Sequence, residues 1–109
     1  MTHEPATIRR LNDELRRSLH TGIAVITPGV AALGREAVQN IFRTVSIYDD
    51  FCKENDPYGE HDFGSFVAEG HTIFFKLDYY DKQLNAHSPD PADPTVTERV
   101  ITIMTADEY

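Results

Sequence analysis

A chain of 109 residues, 40% of them hydrophobic, is long enough for one modest core, so residues 1–109 read as a single domain. Its net charge of −8 argues against binding nucleic acid or an anionic membrane, and no apolar run approaches the ~20 residues that a membrane helix needs. Cys52 is the one cysteine, which leaves no intrachain disulfide or cysteine-based zinc site, and the first residues lack a basic-then-apolar leader; a cytoplasmic location is expected.

The charge is unevenly placed. Residues 1–48 carry six Arg against Glu4, Asp13, Glu14 and Glu36, for +2, while residues 49–93 carry eleven acids against three Lys, for −8. Residues 94–109 add −2. A field of this kind favours basic partners, and it also simply keeps a small protein soluble.

Residues 5–20 predict the first helix, with Ile8, Leu11, Leu15 and Leu19 in one apolar stripe. Arg9, Arg10, Asp13, Arg16 and Arg17 fall on the other side and read as a solvated face, with Asp13 and Arg17 as an i,i+4 pair. The apolar run 22–27 predicts a buried strand, ended by Pro28-Gly29. One helical turn is expected over 30–33, and a second helix over 35–48 with Ala37, Val38, Ile41, Phe42 and Val45 buried. Asp49 and Asp50 follow at the helix's negative end, an unfavourable place for acids that points to a surface role or a chain reversal.

Asn55-Asp56-Pro57-Tyr58-Gly59 is turn chemistry. Residues 63–68 and 71–79 then predict two strands joined by a two-residue Glu69-Gly70 turn. Period-two alternation sends Ile73, Phe75, Leu77 and Tyr79 to the core and Thr72, Phe74, Lys76, Asp78 and Tyr80 to a mixed face. Residues 80–94, with prolines at 89, 91 and 94, predict an ordered surface loop. The last segment is divided. Asp93-Pro94 resembles a helix start and Val96, Val100, Ile103 and Met104 share a helical face, whereas Val100-Ile101-Thr102-Ile103 prefers a strand. Cap and stripe together select a helix. The expected fold is α+β: a small antiparallel sheet (the 63–68/71–79 hairpin plus strand 22–27) packed by helices at about 5–20, 35–48 and 95–106.

Glu60, His61, Asp62, Asp78 and Asp81 could gather oxygen ligands and one imidazole, a set suited to Mg²⁺ or Mn²⁺ and a small metal-dependent enzyme. Against that, His61 and Asp62 are adjacent and would face opposite ways on a strand, and no metal-binding motif frames them, so no metal or other cofactor is expected. Cys52 has no nucleophile elbow around it and reads as a small buried hydrophobe. His3 and His87 read as solvated. No catalytic residue is assigned.

The runs N-D-P-Y-G-E-H-D-F-G-S-F (55–66), F-K-L-D-Y-Y-D (75–81), S-P-D-P-A-D-P (88–94) and R-V-I-T-I-M (99–104), with T-P-G-V-A-A-L-G (27–34), resemble the small bacterial proteins grouped as domain of unknown function 3768. That family has no assigned activity. The resemblance implies a bacterial protein, often encoded on plasmids and other mobile elements near genes for anti-defence and plasmid upkeep. The resulting expectation is a non-enzymatic acidic protein that occupies the basic DNA-binding surface of a host protein. Its most concrete form is an anti-CRISPR or anti-restriction inhibitor acting as a nucleic-acid mimic; a plasmid accessory or assembly factor is a further alternative. The expected contacts are Asp49, Asp50, Asp56, Glu60, Asp62, Asp78 and Asp81, with Tyr58, Phe74 and Tyr80 as apolar anchors, on a monomer or homodimer.

Overall fold

The computed structural model describes residues 4–109; His3 lies outside them. Helix α1 (Pro5–Ser18) begins with proline at its first position and ends at Leu19, whose left-handed backbone (φ 62°) turns the chain away. Its stripe faces the core, with Ile8 and Leu15 fully inside and Leu11 and Leu19 half-buried. The opposite face is less solvated than its arginines suggest. Arg16 is buried, and Asp13 pairs with it at 2.7 Å rather than with Arg17.

Four strands form one sheet in the order β1-β4-β3-β2: β1 (Ile23–Ile26), β2 (Phe63–Ala68), β3 (His71–Tyr80) and β4 (Glu98–Thr105). The short helix α2 (Pro28–Ala31) and the longer α3 (Arg35–Ile47) follow β1. The fold is α+β, with three corrections to the expected sheet. Residues 98–105 are a strand, not a helix, and only Ala106–Glu108 wind, as a short 3-10 helix. The helix-start chemistry is used differently: the Asp93 carboxylate accepts from the Thr95 N–H (2.9 Å) and hydroxyl (2.7 Å), making a turn that feeds the β-branched run into the sheet. That run then pairs on both sides, with β3 antiparallel and β1 parallel. The sheet is therefore mixed rather than antiparallel. Strand β1 is also an edge rather than a buried strand, with Ala24 and Val25 exposed.

The β2–β3 hairpin forms in the expected register, with Glu69 and Gly70 at φ 54° and 76°, as a turn of opposite hand to the common type requires. Ile73, Phe75, Leu77 and Tyr79 point under α1 and α3, joining Ile101 and Ile103 in the core. Phe75 is fully buried and Phe74 half-buried. On the opposite face the register aligns Val25, Thr102, Lys76 and Phe63 in one row across all four strands. Tyr109 folds back over part of this face, 6.2 Å from Phe63 and 5.7 Å from Phe74, ring centre to ring centre.

Candidate functional site

The 55–62 segment is held from both sides. The Asp56 carboxylate, buried instead of exposed for a partner, accepts from the His61 N–H at 3.0 Å. His61 adopts a left-handed backbone (φ 57°) and stacks flat on Phe51, ring centres 3.8 Å apart. Its Nδ1 lies 3.0 Å from Asp13 Oδ1. Burial alone would raise the Asp13 carboxyl, but hydrogen bonds from Arg16 and His61 outweigh it and hold the group below the usual carboxylate range. Arg16 also donates to the carbonyls of Val45 (2.7 Å) and Tyr48 (3.0 Å), closing the end of α3. Its Nε has no hydrogen-bond partner, but the guanidinium lies 5.2 and 5.7 Å from the ring centres of Phe51 and Phe75, whose π faces receive it.

This arrangement turns His61 and Asp62 apart. The five residues Glu60, His61, Asp62, Asp78 and Asp81 are not gathered as one ligand set. Among the described residues, no three His, Cys, Asp or Glu side chains converge as a metal centre. Cys52 is exposed rather than buried, its N–H held by Asn55 Oδ1 at 2.9 Å.

On the other side of the loop, Asn12 of α1 donates to the Glu60 carbonyl (2.9 Å) and the Tyr79 hydroxyl (2.8 Å), and its Oδ1 accepts from Arg99 Nε (2.6 Å). Tyr79 donates in turn to Glu60 Oε1 at 3.1 Å. Arg99 lies 5.0 Å above the Tyr79 ring and also donates to the Pro91 carbonyl. Burial raises the proton affinity of Tyr79 and lowers that of Arg99. One polar core thus fastens α1, β3, β4, the 55–62 segment and the proline loop together. The sequence carries a single signal for it: Asn12 sits four residues after Ile8 and three before Leu15, inside the apolar stripe.

Above this core lies a cleft of about 300 Å³ lined by Tyr58, Glu60, Asp62, Tyr79, His87 and Pro91. Glu60 is its buried floor, Asp62 is half-buried, and Tyr58 stands 76% exposed at the mouth. Burial and the charges of Glu60, Asp56 and Asp78 all raise the Asp62 carboxyl above its ordinary value, against an opposing backbone hydrogen bond. A group so placed gains from a nearby cation, and aromatic walls add cation–π attraction for an ammonium or guanidinium.

The ten expected contacts are scattered: Asp56 is buried against the His61 backbone, and the other nine fall into four places. Tyr58, Glu60 and Asp62 meet in the cleft. Phe74, Asp78 and Tyr80 lie along the outer face of β3, where Asp78 pairs with Lys76 at 3.0 Å and raises its proton affinity. Asp81 binds the Asn85 N–H (2.9 Å) in the turn beyond. Asp49 and Asp50 are exposed after α3, where the Asp50 carbonyl accepts from Tyr48 and Asn55 side chains (both 3.1 Å). The chain reverses here and leaves both carboxylates on the surface.

Residues 26–108 match the model of a family described as protein of unknown function (DUF3768). The chain belongs to that family, and α1 precedes the matched segment. No curated protein and no solved structure matches it. No helix is long and apolar enough to cross a membrane among the described residues.

Proposed function

We propose that this is a non-enzymatic acidic protein that binds a basic protein surface, most concretely as an inhibitor of a host defence system (restriction or CRISPR) whose DNA-binding groove it occupies. The observation that supports the reading is the Tyr58–Asp62 cleft. It joins a concave pocket, two carboxylates and aromatic walls, while Asp78 and the exposed Tyr80 lie on the outer face of β3. A basic side chain from a DNA-binding surface is the ligand chemistry such a pocket favours. Tyr58 and Tyr80 supply rigid contact area, and the surrounding acids steer the encounter.

The purified protein is then expected not to bind DNA. Expressed beside a restriction or CRISPR system, it should raise plasmid or phage escape, and pull-down from those cells should yield a basic partner. Affinity should fall as salt rises, since contacts between exposed charges are screened over ~8 Å at physiological ionic strength. Tyr58→Ala should mainly speed dissociation, and Asp62→Asn should weaken the salt dependence. Tight DNA binding, with no rescue in any system, would sink the proposal.

A further inference from the structure

The β2 edge lacks the devices that normally close a sheet. Phe63–Ala68 contains no charge, no proline and no bulge, and its register with β3 is unbroken. Among the described residues no strand pairs with its outer side. Edges of this composition recruit another strand unless something covers them.

The backbone parity of this edge is determined. Leu77 N–H bonds the Asp62 carbonyl, so Asp62 and, by alternation, Gly64, Phe66 and Ala68 direct their backbone groups to β3. Phe63, Ser65 and Val67 direct theirs outward. The Ser65 N–H meets a side chain instead of a strand: the Tyr48 hydroxyl, at 3.4 Å, near the limit for a hydrogen bond. The same hydroxyl donates to the Asp50 carbonyl (3.1 Å), which places the exposed Asp49-Asp50 pair beside the edge. Lys53 and Glu54 in the same turn cancel, and Glu69 adds a further acid where the edge ends. Val67, 73% exposed, supplies an apolar contact on the outer face.

We infer that β2 receives an extended, basic segment of a partner protein as a fifth strand, antiparallel or parallel, with the Tyr48 hydroxyl yielding its long bond to Ser65 while its ring stays packed on Phe51 and Phe75. Backbone bonds to Phe63, Ser65 and Val67 would hold it. One set of its side chains would lie beside Phe63 and Val67, and the alternate set would face Asp49 and Asp50. Charge selects this occupant over a second copy of the chain, because self-pairing would bring two −8 molecules and two Asp49-Asp50 pairs together. The inference rests on the reading of a basic partner and adds how that partner docks.

The test uses the full chain and a short synthetic peptide alternating lysine and valine, with a glutamate–valine peptide as control. The lysine peptide should slow hydrogen exchange at the Phe63 and Val67 amides, and the control should not. Val67→Pro should cut affinity by roughly tenfold or more while leaving the β3 ladder intact, since the lost N–H faces outward. Val67→Lys guards the same edge by charge and should act alike. Binding without protection at these amides, or unchanged binding to both variants, would overturn the docking mode while sparing the basic-partner reading. Equal binding of the glutamate peptide would overturn the charge argument and that reading with it. Phe63 and Val67 amides already protected in the isolated protein, with a dimer in sedimentation, would give the edge to a second copy and end the proposal.

Discussion

The two faces of β3 differ in what they are used for, although their residues alternate along one strand. Inward, Ile73, Phe75, Leu77 and Tyr79 meet α1 and α3; outward, Phe74, Lys76, Asp78 and Tyr80 meet one C-terminal aromatic ring, an ion pair and solvent. The inner face is where the stability lies. The outer face costs little to alter, and so it is free to carry contacts. Alternation of hydrophobicity alone does not show this, because both sets contain aromatics.

The largest expected effect tests that division directly. Phe75→Ala should cost about 3–5 kcal/mol in urea unfolding, because a fully buried ring leaves a cavity. Phe74→Ala should cost clearly less, and a reversal of the two would dissolve the comparison. Next, Gly64→Ala should cost about 1–3 kcal/mol by overpacking, since a Cβ there drives into the Phe75 and Tyr48 rings. Ser65→Ala, one residue on and facing the other way, should change stability by about 0.5 kcal/mol or less.

Two smaller effects concern the boundary between the faces. Asp62 has a folded-state proton affinity above its ordinary value of 3.8, so its ionisation weakens the fold as pH rises through that value toward the raised one. Asp62→Asn should therefore raise the melting temperature at pH 7, and the gain should vanish below pH 3.8. A lower melting temperature at neutral pH would place the carboxylate in a stabilising pair instead. Glu108 behaves oppositely. Its carboxylate accepts from Thr27, Gly29 and Thr105, and these bonds lower its pKa from 4.5 to about 2. The stability it adds is complete above pH 4.5 and fades as pH falls toward 2. Glu108→Gln should flatten the melting curve's pH dependence in that window and loosen Tyr109 from Phe63 and Phe74, read as increased dye binding to the outer face.

The hairpin was legible because its alternation and its Glu69-Gly70 turn agree. Strand β4 was not, because Asp-Pro-Thr serves a helix start and an Asx turn equally well, and only the two waiting neighbours β1 and β3 decide between them. The strand at β1 was legible but its exposure was not, since an Ile-Val run reads alike at a sheet centre and at an edge. At the candidate site, acidity predicted charge but not direction. Asp56 and Glu60 turn inward to hold backbone and tyrosine hydroxyl, whereas Asp49, Asp50 and Tyr58 stay outside. The Asn12–Tyr79–Arg99 core joins residues far apart in the chain, and beyond Asn12 in the apolar stripe no local pattern reports it. Arg16 was misread for a like reason: besides Asp13 its acceptors are the carbonyls of Val45 in α3 and of Tyr48 just after it.

The parallel pairing of β1 with β4 also sets an order of events in time. Ile23 through Ile26 have no strand to join until Val100 through Ile103 exist, and most of the chain lies between them. The β2–β3 hairpin, by contrast, closes over a two-residue turn. A growing or refolding chain should thus form its hairpin early and seat β1 last, with non-local closure setting the slow step. Until then the apolar 23–26 segment has no strand to pair with, and variants that slow its docking should aggregate more on refolding, read as light scattering.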